Sequence, residues 1–81
     1  MHYDESKIDE AALAVLYLTA IEEHGLTRAW KGVDWAVTQR LHERGFIDDP
    51  RSRPKSIIFT DAGVALARAV AQRLFCPSPP Q

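Results

Sequence analysis

The stretch Arg40-Leu41-His42-Glu43-Arg44-Gly45-Phe46-Ile47 leaves the backbone few options. An amphipathic run ends on a glycine, which enters the left-handed region at no steric cost, and an aromatic residue follows at once. A helix that stops this way turns its chain back, so Phe46 packs on Leu41 in the contact of a Schellman motif. Asp34 marks the other end as a carboxylate N-cap for a helix ending near Arg44, with Val37 and Leu41 as its core stripe. Gln39, Arg40, Glu43 and Arg44 fall on the outer side.

Beyond that stop, Phe46-Ile47 begins a strand and Lys55 to Phe59 resumes one, with Ile57, Ile58 and Phe59 β-prone. The charged segment Asp48 to Pro54 between them predicts a hairpin with a polar tip, and its two prolines assign both strands an edge character. Thr60 caps the last helix, whose apolar stripe is Leu66, Val70 and Leu74 with Ala62, Ala67 and Ala71 alongside. Cys76-Pro77-Ser78-Pro79-Pro80-Gln81 cannot continue a helix, so residues 76–81 read as a disordered proline-rich tail.

The first half reads as one helix from about Lys7 to His24, with Ser6 as N-cap and Gly25 as its stop. Ile8, Ala12, Val15 and Thr19 mark one face; Leu13, Leu16 or Tyr17, and Ala20 mark another. Such a helix is buried on two sides, as a central helix or as one shared between core and dimer interface. Leu26 to Val33 reads as irregular or as a short helical turn. Trp30 and Trp35 read as a seal on a small core beneath it, the alternative being aromatic platforms for single-stranded bases. The fold expected over residues 1–75 is a single domain, mainly α with a small β-hairpin.

With 81 residues the chain has room for one domain, which buries only about 60% of its unfolded surface. That thin margin, with apolar helices at both ends, points to a homodimer, for which Leu13, Tyr17, Val64 and Phe75 are the candidate interface residues. The 46% hydrophobic content argues against disorder. One cysteine excludes an intramolecular disulfide. The acidic start carries no secretory signal pattern, and the longest apolar stretch, Ala11 to Leu18, is far short of the roughly 20 residues of a membrane span. The expected compartment is the cytoplasm, with no membrane partner.

His2, His24 and His42 are too scattered to form a metal motif, and no phosphate-cradling loop or activated nucleophile is present. No cofactor, metal or enzymatic activity is expected. Net charge is −1, yet it is unevenly spread. Acids dominate to Gly25, whereas Arg28, Lys31, Arg40, Arg44, Arg51, Arg53 and Lys55 outnumber the four acids from Leu26 to Thr60.

The run Leu41 to Ile47, a polar hairpin, and then Phe59-Thr60-Asp61-Ala62-Gly63 resemble the core of winged-helix regulators of the PadR and MarR type. There a recognition helix ends in an L-x-x-x-G-apolar-I segment, a wing follows, and the next helix opens with a Thr-x-x-Gly segment. The resemblance implies a winged-helix-like α+β domain that binds double-stranded DNA as a dimer. Gln39 and Arg40 would then face base edges, Arg51, Arg53 and Lys55 would sit on phosphates, and Arg44 would extend the basic face. Such proteins carry a supporting helix before the recognition helix, and only Leu26 to Val33 offers it room, about two turns at most. Glu43, Asp48 and Asp49 lie close to the basic residues and repel phosphate. The other reading is therefore a protein–protein interaction module on the same frame.

Over nearly its whole length the chain also resembles a small bacterial family of unknown function. The matching segments are Asp9-Glu10-Ala11, Leu16-Tyr17-Leu18-Thr19, Ala29-Trp30-Lys31-Gly32 with Asp34-Trp35, Arg40-Leu41-His42-Glu43, and Thr60 to Gly63. This resemblance implies no particular activity.

Overall fold

The computed structural model of the chain describes residues 2–52 and 55–77. Helix α1 (Glu5–Leu18) leads into a hairpin of β1 (Ile21–Glu23) and β2 (Leu26–Trp30). Helix α2 (Trp35–Glu43), a single 3-10 turn (Pro50–Ser52), β3 (Ser56–Ile58) and α3 (Asp61–Phe75) follow. The strands form one antiparallel sheet in the order β1-β2-β3. One core joins all three helices to one sheet face: Leu13 and Leu16 of α1, Ala29 of β2, Val37 and Leu41 of α2, Ile47, Ile57, Phe59, and Ala67 of α3. The mainly helical α+β class agrees with the sequence; the β component differs in place and size.

Helix α1 does not reach His24. The chain reverses at His24-Gly25, whose φ angles are 54° and 78°. Two consecutive positive φ values in a two-residue loop define a type I′ hairpin turn, whose twist matches that of the flanking strands. The glycine read as a helix stop is thus a hairpin corner, and the segment read as irregular is β2. The N-cap also shifts, from Ser6 to Asp4. The Asp4 carboxylate accepts from the Ser6 N–H at 3.0 Å, the Lys7 N–H at 3.4 Å and the Ser6 hydroxyl at 2.7 Å. The Ser6 hydroxyl bond, with the backbone bonds, holds the Asp4 pKa below its ordinary value.

Helix α2 follows the sequence reading. The Asp34 carboxylate accepts from the Ala36 N–H at 3.3 Å. At the far end the Phe46 N–H reaches the Leu41 carbonyl and the Gly45 N–H the His42 carbonyl, both at 3.0 Å, with Gly45 at φ 83°. That pair of bonds is the Schellman motif.

The expected wing is much reduced. Ile47 makes an isolated bridge to Phe59, flanked by Asp48 N–H to Ile58 carbonyl at 2.9 Å and Thr60 N–H to Phe46 carbonyl at 3.1 Å. The principal partner of β3 is β2, with Arg28 opposite Ile58 and Trp30 opposite Ser56. The 3-10 turn at Pro50 to Ser52 leads the chain away before a longer ladder can form.

Thr60 joins α2 to α3. Its hydroxyl accepts from the Gly63 N–H at 3.0 Å and donates to the Gly45 carbonyl at 2.7 Å. Gly63 is buried so tightly that a Cβ there would lie 1.9 Å from the Phe46 carbonyl oxygen. Helix α3 then lies along α1 through Ala14, Val70 and Ala71. Only Val70 of the expected Leu66–Val70–Leu74 stripe is fully buried; Leu66 is half-buried and Leu74 exposed.

Candidate functional site

The basic residues of the second half do not form one uncommitted face. Arg40 turns inward on α2 and makes a two-pronged pair with Asp9 of α1, Nε to Oδ2 and Nη2 to Oδ1, both at 2.8 Å. Its Nη1 reaches Glu5 at 3.2 Å. The Asp9 side chain is 1% exposed. Its hydrogen bonds, with the fields of Asp9 and Glu5, raise the Arg40 pKa further above its already high ordinary value. The guanidinium expected at a base edge is therefore engaged between α2 and α1.

Gln39, Arg44 and Arg51 are also engaged locally. Gln39 donates to Glu43 at 3.3 Å. Arg44 lies over the Phe46 ring, 5.0 Å from its centroid. Arg51 pairs with Asp49 through Nε at 3.2 Å and Nη2 at 3.1 Å. These bonds bring the Asp49 pKa down to about 2. Lys55 is exposed at the start of β3. Arg53 lies outside the described residues, as does the tail beyond Pro77. Where a winged-helix reader has its supporting helix, this chain has strand β2, so the helix-turn-helix is not formed.

The predicted dimer residues separate as well. Leu13 is wholly buried in the monomer's own core and cannot meet a partner. Tyr17 is half-buried edge-on to Phe59, with ring centroids 6.0 Å apart, and Val64 is half-buried against the core. Of the four, Phe75 alone is exposed. Trp30 and Trp35 do not seal a core: 71% and 50% of their surfaces meet solvent. Trp35 instead has the Lys31 ammonium 5.7 Å above its ring, and Lys31 also donates to the Pro50 carbonyl.

Helix α1 presents an apolar stripe that shares Ile8 and Val15 with one face marked by the sequence pattern but continues through Ala11 and Leu18 rather than Ala12 and Thr19. Ile8, Val15 and Leu18 are exposed and Ala11 is half-buried, and Leu74 of α3 stands exposed nearby. Between the two helices runs a groove of about 490 Å³ lined by Lys7, Glu10, Ala11, Val70, Arg73 and Leu74. Its floor is apolar and its rim carries both signs of charge. Among the described residues no group of three or more histidine, cysteine or carboxylate side chains is placed to hold a metal ion. No helix there is long and apolar enough to cross a membrane.

These features define a small three-helix, three-stranded α+β domain with uncovered apolar surface and matched charges. The chain belongs to the family described as a domain of unknown function, DUF6429, whose model matches residues 4–77. It is 51% identical over 75 residues to the uncharacterised protein y4hR of Sinorhizobium fredii (strain NBRC 101917 / NGR234), covering 93% of this chain and 97% of that protein. No solved structure matches it.

Proposed function

We propose that this domain is a protein–protein interaction module that acts as a homodimer, two α1 helices packing antiparallel across a twofold axis. The observation that carries the reading is the solvent-facing stripe Ile8, Ala11, Val15 and Leu18. Its spacing of three, four and three is that of alternating a and d positions, the seam by which helices pair. The spacing is also the same in both directions. An antiparallel copy therefore sets Ile8 against the partner's Leu18 and the small Ala11 against the partner's Val15. A twofold interface needs that self-complementarity. Leu74 adds apolar surface at the margin, and Lys7, Glu10 and Arg73 provide rim charges of both signs.

The rival reading is a DNA-binding regulator. It retains Arg44 and Lys55 as exposed cations, but Arg40 is held by Asp9 and Arg51 by Asp49. Displacing a buried pair to reach a base would leave Asp9 an uncompensated charge. A mobility-shift titration separates the two readings. The interaction module gives no retained complex with genomic duplex fragments at low salt. A complex that weakens steeply as salt rises favours DNA. The positive test of the module is its mass in solution. Wild-type protein sediments as a dimer, and Val15→Glu sediments as a folded monomer.

A further inference from the structure

The two arms of the β1–β2 hairpin are unequal. Pairing ends at Ile21 opposite Arg28, so Ala29 and Trp30 continue along β3 with no strand on their other side. The chain leaving α1 passes this gap at Thr19 without filling it. The result is a recess of about 350 Å³ lined by Thr19, Ile21, Arg28, Ala29, Trp30, Lys55 and Ser56. That volume is at the small end of ligand pockets and suits a one- or two-ring molecule. Ile21 and Trp30 give it apolar walls, both exposed, and Thr19 and Ser56 bring hydroxyls.

Its charge has one sign. Arg28 and Lys55 line the recess, and no carboxylate among the described residues does. Arg28 is incompletely satisfied. Its Nη1 pairs with Glu23 at 3.2 Å, while its Nε is buried with no hydrogen-bond partner among the described residues. Buried donors are usually paired, so an unpaired one beside a recess is a sign of a site. We propose that this notch binds a small flat apolar carboxylate, its ring against Trp30 and Ile21 and its carboxylate held between Arg28 and Lys55. Such a group supplies what the recess lacks, an acceptor for two cations and an apolar plane for an exposed indole. Glu23 is the internal competitor for Arg28, so ligand and Glu23 share one guanidinium.

The test is an amide and indole chemical-shift titration of the ¹⁵N-labelled full chain with 2-naphthoate and, separately, the neutral 2-naphthalenemethanol. Saturable shifts with naphthoate should localise to Thr19, Ile21, Ala29, Ser56 and the Trp30 indole. The alcohol should bind about fivefold or more weakly. Arg28→Met and Lys55→Met should each weaken naphthoate by a similar factor, and Glu23→Gln should tighten it. The glutamate variant makes the outcome independent of any folding defect in the arginine variant. Equal binding of acid and alcohol, weakened binding in Glu23→Gln, shifts centred on α1 and α3, or no saturation would each overturn the proposal. Val15→Glu, which removes the proposed dimer seam, should bind naphthoate as the wild type does, so the two proposals fail separately.

Discussion

Arg40 shows how one side chain can change the meaning of a sequence. Its place on the outer side of an amphipathic pattern made it a candidate reader of bases, whereas its partner Asp9 lies 31 residues earlier, on another helix. Local spacing cannot reveal such a pairing. Asp9, 1% exposed, tolerates its charge because two bonds of 2.8 Å compensate it. Arg40→Gln should leave that buried carboxylate stranded and lower the midpoint of urea denaturation. An unchanged unfolding midpoint would contradict the clamp. Asp49 allows a check by pH. Arg51 lowers its pKa from 3.8 to about 2, so the folded form favours the ionised carboxylate. Its contribution to stability is complete above about pH 3.8 and is lost as pH falls through about 2. The Asp49 carboxyl carbon should titrate near 2 in the wild type and higher in Arg51→Gln, yet still below its ordinary value, because the backbone N–H of residue 51 keeps its 2.9 Å bond to the carboxylate.

At the scale of elements, legibility tracked how local the determining physics was. The Asp34 cap, the Gly45–Phe46 stop and the Thr60 cap each act within about five residues, and all three stand as the residue types imply. The β1–β2 hairpin was hidden because its corner is His24-Gly25 rather than the usual Asn-Gly, and because Ile21 and Leu26 continue an apolar pattern that also fits a helix. His24→Asn should therefore raise stability by roughly 0.5 kcal/mol, since asparagine tolerates φ 54° better. A loss of stability would argue against the type I′ corner. The joint between α2 and α3 was half legible. Gly63 was visible as part of the Thr-x-x-Gly segment, but its reason, the Phe46 carbonyl lying where a Cβ would go, is a tertiary contact. Gly63→Ala should destabilise by about 3 kcal/mol, because the obstructing atom is backbone and cannot rotate away. Thermal unfolding of that variant near the wild-type midpoint would refute the close approach.

For the whole molecule, the distribution of apolar surface matters more than its amount. A chain of 81 residues cannot bury all its large apolar side chains, and here several of those left outside gather on two separate surfaces. One is the α1 stripe, palindromic in spacing and flanked by charges of both signs; the other is the cationic notch at the hairpin's short arm. The sequence revealed that α1 is apolar on more than one side and that dimerisation suits so small a domain. It named Leu13 for the interface because an apolar helix does not disclose which stripe its own core will take; that choice depends on where α3 and the sheet lie. The candidate basic face is thinned for the same reason, as Arg40 has a partner distant in sequence and Arg51 one beside it on the turn.

The most direct test of the interaction module is sedimentation equilibrium over a wide concentration range, at low and moderate salt, on wild type and Val15→Glu. The account predicts twice the 9.1 kDa chain mass for the wild type, dissociating only on dilution, and 9.1 kDa for a variant with an unchanged far-ultraviolet spectrum. A wild-type mass of 9.1 kDa at every concentration, or a Val15→Glu variant that still sediments as a dimer, would contradict it.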